Sequence, residues 1–379
     1  MQARDYRTRA RPSTLVVGVL GLLSVSASAA GNWGCARLNL QLVDASVRRP
    51  SNVAVYFTVD TSNGQPVADL TPQDFHIYED EQPVSILESK QTILQPEVAA
   101  IHYTLLLVDT SGSVVDSGDM PAVIQAASSF SDRVGPYQKV AIFTFDGSPH
   151  ITPIIGFGGN VRAGIATLAT RRPRDPSTNL NGAVIEAIRA LNHQMSSAPV
   201  PLRFGTLVVF TDGTDRAHRA SADDVKKALD GAGFESYAIG VGGEIDKRQL
   251  GDIGRSGTFA SANRADIQKG FDEIAARIEA SSKRYYLLSY CSPARAGQHQ
   301  VQIEAVAKGM SASGRLQYNF NAQGFGPNCD PNQKPAFDTR NPRVAPPKAA
   351  TSTGLPAPSR PPPSSSPPPP SGPMFQPKR

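Results

Sequence analysis

Two carboxylates and three hydroxyls, those of Asp109, Ser111, Ser113, Thr178 and Asp212, lie far apart in the chain, yet each stands where one predicted element ends or the next begins. The first three close the segment Leu105-Leu106-Leu107-Val108-Asp109-Thr110-Ser111-Gly112-Ser113. Its apolar run is too short for a helix and stops abruptly in small polar residues, which predicts a buried strand delivering an Asp-x-Ser-x-Ser loop. Thr178 opens the helix predicted over Asn179 to Met195, and Asp212 follows a second apolar run, Thr206 to Thr211. Oxygen donors without Cys or His suit a hard cation: Mg²⁺ first, with Mn²⁺ and Ca²⁺ as alternatives. Two carboxylates neutralise a divalent charge without surplus, so an acidic side chain from elsewhere could complete the shell.

The elements needed to bring these residues together are legible around them. From His102 onward, strand-like and helix-like stretches alternate, the mark of a parallel sheet in an α/β fold. Strands are predicted at Tyr103 to Val108, Lys139 to Phe145, the segment ending at Thr211, Ser236 to Val241 and Thr258 to Ala260, with an antiparallel edge at His150 to Ile155. Helices are predicted at Pro121 to Val134, Val161 to Leu168, Asn179 to Met195, Ala222 to Leu229, Asp246 to Ile253 and Ala265 to Ala280. In a doubly wound sheet of this kind, loops at the strands' carboxyl ends converge on one crevice.

The five residues in this order resemble the metal-ion-dependent adhesion site of von Willebrand factor type A domains, over roughly positions 100–282. That resemblance implies a Rossmann-like doubly wound domain. It also implies that Ser111, Ser113 and Thr178 bind the cation directly, while Asp109 and Asp212 bind directly or through water. The function it implies is metal-dependent adhesion or scaffolding, in which a protein partner supplies an acidic side chain. The alternative is a structural envelope module whose metal only ties the loops.

Taken singly, each residue has a plainer role as a helix cap or turn former. Only their combination and order point to metal. Phosphoaspartyl hydrolases also place an Asp after a first strand, but they carry Asp-x-Asp where this chain has Ser111. The six histidines show no zinc spacing, no Gly-x-Ser-x-Gly elbow occurs, and Gly240-Val241-Gly242-Gly243 lacks the dinucleotide fingerprint. The chain is therefore expected to be no enzyme. Arg171, Arg172 and Arg174 immediately precede Thr178 and would line the rim of the crevice, where basic charge could steer an acidic partner.

The ends of the 379-residue chain read differently from its middle. Residues 1–29 combine four arginines, an apolar stretch from Leu15 to Val25 and Ala27-Ser28-Ala29, the pattern of a signal peptide. This predicts export to the periplasm, cell envelope or exterior. Cys35 stands where a bacterial lipoprotein carries its acylated cysteine, although Asn32 replaces the usual aliphatic residue; a lipid anchor there is the one membrane attachment expected. The net charge of +5 resides in the two ends and leaves about −4 on the body, which argues against nucleic acid as a partner. Cys291 and Cys329 flank the last predicted strands and are expected to form a disulfide in an oxidising compartment.

Before the α/β region, residues 36–98 read as a small β-rich module, with the Phe75/Ile77 alternation marking a half-buried strand. After it, residues 283–330 add strands at Arg284 to Tyr290, Val301 to Val306 and Arg315 to Phe320, expected to rejoin that module because a lone hairpin is marginal. Residues 331–379 collapse into Pro, Ser and Ala and read as a disordered tail.

Overall fold

The computed structural model describes residues 36–337. The signal peptide expected at 1–29, Cys35 and the chain beyond residue 337 lie outside the described residues. Among the described residues no helix is long and apolar enough to cross a membrane.

The amino-terminal strands are β1 (Ala36–Arg48), β2 (Asn52–Thr61), β3 (Phe75–Glu79), β4 (Gln82–Val84) and β5 (Thr92–Leu94). The α/β region follows with strands β6 (Ala100–Asp109), β7 (Lys139–Phe145), β8 (Thr152–Ile155), β9 (Leu202–Thr211), β10 (Glu235–Val241) and β11 (Gly257–Ser261). Its helices are α1 (Gly112–Asp116), α2 (Met120–Val134), α3 (Val161–Gly164), α4 (Leu180–Ser196), α5 (Ala222–Ala232), α6 (Lys247–Ile253) and α7 (Ile267–Lys283). After α7 come β12 (Tyr285–Cys291), β13 (Gln298–Ala307) and β14 (Ala312–Asn321).

The central sheet runs β11-β10-β9-β6-β7-β8 and is parallel except for β8, which pairs antiparallel with β7. Because side chains alternate across a strand, Leu106 and Val108 of β6 face α2 and α7, while Leu105 and Leu107 face α4, α5 and α6. Burial on both faces explains why these strands are continuous apolar runs. The strand order reverses at β6: β7 adds on one side and β9 on the other. Their carboxyl ends therefore splay loops apart at the sheet's centre, the place where α/β folds open a crevice. The helix predicted at Val161 to Leu168 is instead the single turn α3 continuing into a 3₁₀ segment, Ile165–Thr170.

The remaining strands form one eight-stranded sheet, β4-β3-β13-β14-β1-β2-β12-β5. β12 inserts between β2 and β5, and the β13–β14 hairpin bridges β3 to β1. The joint between its halves is only the short parallel pairing Ala36↔Ala312 and Arg37↔Ser313. The sheet folds over on itself there, since Phe75 of β3 meets Phe57 of β2 and Tyr286 of β12 at ring separations of 5.6 and 5.3 Å. The outer face of β2 and β12 in turn packs on the amino ends of β6 and β9, through Ala54, Tyr56 and Leu287 against Ala100, Leu202 and Phe204.

Cys291 and Cys329 form a disulfide. Residues 331–337, which composition groups with the tail, instead continue from it along the sheet. Ser289 Oγ donates to the Pro331 carbonyl at 2.6 Å, the Ala336 N–H donates to Ser46 Oγ at 2.8 Å, and Phe337 is buried beside Tyr56. A single aromatic anchor and a few backbone bonds suffice once the neighbouring disulfide has brought the segment to the sheet.

The seam between the two sheets is polar at its centre. Arg284 is 2% exposed and pairs with Asp60 at 3.4 Å and Glu235 at 3.6 Å, with its guanidinium over the Tyr285 ring. His102 stacks on Phe204 at 4.6 Å and meets Tyr285 edge-on at 5.2 Å. Burial and the nearby Arg284 cation push its imidazole down to about 3. The folded protein thus holds His102 neutral, whereas an unfolded histidine protonates near its ordinary value of 6.5. This stability is present in full above that value and is lost as pH falls through the window down to the folded value. From pH 7 to pH 4.5 the loss should be on the order of 2 kcal/mol, less than the full shift because the ring is only partly buried. Urea unfolding of wild type and His102→Gln at both pH values should show a smaller acid-side drop in the variant; equal drops would refute this assignment.

Candidate metal centre

Asp109 ends the central strand and is fully buried. Its Oδ1 accepts the Ser111 N–H at 2.8 Å and its Oδ2 accepts the Thr211 hydroxyl at 2.6 Å. No ion pair reaches it among the described residues. Burial, with the Asp212 charge adding to it, pushes this carboxyl up to about 6 against the lowering effect of those hydrogen bonds. A carboxylate held away from water with only dipoles for company gains strongly from a cation brought to it.

The loop after β6 turns at once into α1, whose single turn places Ser111 and Ser113 side by side, with Oγ atoms 3.3 Å apart. Ser113 Oγ then donates to Asp212 Oδ1 at 2.8 Å. The ends of β6 and β9 are thereby joined, and Asp109, Ser111, Ser113 and Asp212 form one connected cluster. Asp212 is also buried, which raises its carboxyl, while Ser113 and Arg264 act to lower it. Gly242 at the end of β10 has φ +143°, and a Cβ there would stand 2.9 Å from the Asp212 carbonyl oxygen. That glycine of the Gly240-Val241-Gly242-Gly243 run serves close backbone approach beside the site.

Thr178 is tied by its backbone to the loop that follows Asp212, not to the four side chains of the cluster. Its carbonyl accepts the N–H groups of Arg216 and Ala217 at 2.8 and 3.0 Å, in the loop after Asp212. Two residues before it, the Pro176 carbonyl accepts the Gly112 N–H at 2.9 Å, and a Cβ on Gly112 would press on Pro176 at 3.1 Å. Among the described residues no hydrogen bond links the Thr178 hydroxyl to the other four side chains. The helix cap assigned to Thr178 belongs to its neighbour: Asn179 Oδ1 accepts the Gly182 N–H at 3.2 Å, so α4 begins at Leu180. Freed from capping, Thr178 stands buried between the loops of β6 and β9.

The donor set fits a hard divalent cation: two carboxylates and three hydroxyls, all oxygen. Among the described residues no group of three or more His, Cys, Asp or Glu gathers for a metal. Arg171, Arg172 and Arg174 precede Thr178 in the same loop, which is pinned by the Arg174 N–H to Asp146 Oδ2 at 2.8 Å and by Gly147 N–H to the Asp175 carbonyl at 3.0 Å. Arg172 and Arg174 are exposed and Arg171 half-buried. Asp215 is structural, accepting the N–H groups of Asn181 and His218.

Two contacts at the site had no signal in the sequence. Thr211 sits one position before Asp212 in a strand and reads there as an ordinary β-former. Arg264 lies far along the chain in a turn before α7, and its Nη2 is 3.1 Å from Asp212 Oδ2.

Solved structures similar to this chain include a von Willebrand factor type A protein from Catenulispora acidiphila, at 11% identity and TM-score 0.40, covering 77% of this chain and 74% of that one. The ArnB paralog VWA2 from Sulfolobus acidocaldarius matches at 11% identity and TM-score 0.35, covering 77% and 76%. Proximal thread matrix protein 1 from the mussel byssus, with a zinc-occupied MIDAS motif, matches at 17% identity and TM-score 0.37, covering 54% of this chain and 49% of that one. No curated protein sequence matches the chain. The segment that frames the cluster, residues 104–214, matches the family model of the von Willebrand factor type A domain, and all five candidate ligands fall within it.

Proposed function

We propose that the α/β domain binds a divalent cation, Mg²⁺ in the first place, through Asp109, Ser111, Ser113, Thr178 and Asp212, and through it an acidic side chain of a protein partner. The protein acts outside the cytoplasm as an adhesion or scaffold module and not as an enzyme. The observation that carries this reading is the buried, raised carboxyl of Asp109 joined to two adjacent serine hydroxyls and a second buried carboxylate. A cation held there supplies a positive centre with an exchangeable position for a carboxylate. The chain's own residues do the rest. Ser111 and Ser113 present hydroxyl oxygens from a rigid turn, Thr211 fixes the Asp109 carboxylate, and the loop of Arg171, Arg172 and Arg174 gives the rim positive charge.

The alternative, a cation that merely ties loops together, is less favoured because the loops are already laced by backbone bonds. Gly112 to Pro176, Gly147 to Asp175, Asn179 to Asp146 and Arg216 to Thr178 join them without help. The Ser111 and Ser113 hydroxyls contact each other and the carboxylates of Asp109 and Asp212, and this reading assigns those carboxylates to the cation rather than to base chemistry.

Free Mg²⁺ at about 100 times its Kd should stabilise wild type by about 2.7 kcal/mol, and Asp109→Ala should abolish the gain. A pull-down from envelope extract, run with Mg²⁺ and with chelator, should recover a partner only with wild type in Mg²⁺. Mg²⁺ stabilisation with identical recoveries in all four samples would leave the loop tie and remove the bridge. With a captured partner in hand, replacing Arg171, Arg172 and Arg174 by Ser should slow association several-fold at low salt, with the difference closing as salt rises. Stopped-flow rates that stay the same at low salt would exclude steering by this loop.

A further inference from the structure

Arg264 reaches into the site from the turn Arg264–Asp266, between β11 and α7. Its guanidinium forks over two carboxylates: Nη1 to Asp119 Oδ2 at 2.6 Å and Nη2 to Asp212 Oδ2 at 3.1 Å. The turn that carries it is itself fixed. Asn263 Oδ1 accepts the Ala265 N–H at 3.1 Å, and Ser261 Oγ donates to Asp266 Oδ2 at 2.6 Å. Asp119 stands immediately before α2, outside the five candidate ligands.

Three features of this contact bear on the cation. Arg264 occupies the oxygen of Asp212 that Ser113 leaves free, since Ser113 donates to Oδ1. The fork is unequal, with its shorter arm on Asp119, so the guanidinium stays paired if the Asp212 arm lets go. The charge count includes Asp119: three carboxylates, Asp109, Asp212 and Asp119, face the single guanidinium of Arg264, so removing that positive charge would leave the cluster more negative toward a cation. A guanidinium in contact with one of the carboxylates that would hold a divalent ion would repel that ion, and a like-charge repulsion at close range changes affinity by about tenfold even at the dielectric of water.

We propose that Arg264 is an internal counter-cation of the metal site. It neutralises Asp212 until a divalent ion takes over that role, and it thereby sets the cation concentration at which the site loads. This rests on the five residues forming a cation site.

The test is titration calorimetry of the full chain with Mn²⁺ and Mg²⁺ for wild type, Arg264→Gln and Arg264→Lys. Arg264→Gln should bind about tenfold more tightly, while Arg264→Lys, which keeps the charge, should stay within about twofold of wild type. Unchanged or weaker binding by Arg264→Gln overturns the proposal, as does equal tightening by Arg264→Lys. If wild type takes up neither ion, the site reading itself fails instead. Should Arg264→Gln prove too unstable for calorimetry, the rise in Tm caused by saturating Mg²⁺ replaces it: a larger rise than in wild type supports the counter-cation, and an equal or smaller one rejects it.

Discussion

The buried carboxylate of Asp109 is the constraint around which the rest of the α/β domain is arranged. It ends the central strand, where the strand order reverses, and it is solvated by the Thr211 hydroxyl and by the N–H and side chain of Ser111 where bulk water would have solvated it. Keeping such a group charged is costly, and the protein answers with oriented dipoles rather than an adjacent Lys or Arg. Those dipoles exist only because β9 lies beside β6 in register, with Val108 opposite Phe210, so that Thr211 arrives at the carboxylate. The sheet, its alternating faces and the helices that seal them are what hold that register.

The second carboxylate is treated in the opposite way. Asp212 is buried as well, but it is shared between a hydroxyl from the β6 loop and a guanidinium from the far end of the domain. One site thus contains a carboxylate without a formal counter-charge and one that has it. Arg264 is itself shared between Asp119 and Asp212, and Asp109 is the carboxylate of the cluster that it does not touch. Arg264 also ties the turn before α7 and the residue before α2 to the cluster, although neither belongs to the five candidate residues. α2 and α7 pack against each other through Phe130 and Phe271 and by the Arg133–Glu279 pair, so the support for Arg264 is continuous with the core on that face.

The eight-stranded sheet bears on the site only at a distance. It packs beneath the amino ends of β6 and β9, the ends opposite the loops, and it closes the chain back on itself through β12. What it contributes is a polar seam of Arg284, Asp60 and Glu235 enclosed by aromatic rings. Buried ion pairs of this kind add little net stability over apolar packing, but removing one partner leaves an uncompensated buried charge and is strongly destabilising.

Much of this was written in the sequence because it is local. Short continuous apolar runs made the strands of the central sheet visible, their alternation with helix-like stretches made α2, α4 and α7 visible, and Asp-x-Ser-x-Ser with Thr178 and Asp212 marked the carboxyl-terminal rim. Local signals misplaced the cap at Thr178, since Thr and Asn are both good caps and only the backbone geometry at Asn179 decides between them. Composition also assigned residues 331–337 to the tail, because it cannot weigh a disulfide that delivers the segment to a sheet. What only the tertiary structure decided is the electrostatics: that Thr211 rather than a cation holds Asp109, and that Arg264 reaches Asp212. Hydrogen bonds and charge pairs act over a few ångströms in space, and no spacing along the chain encodes which distant residue will arrive within that reach.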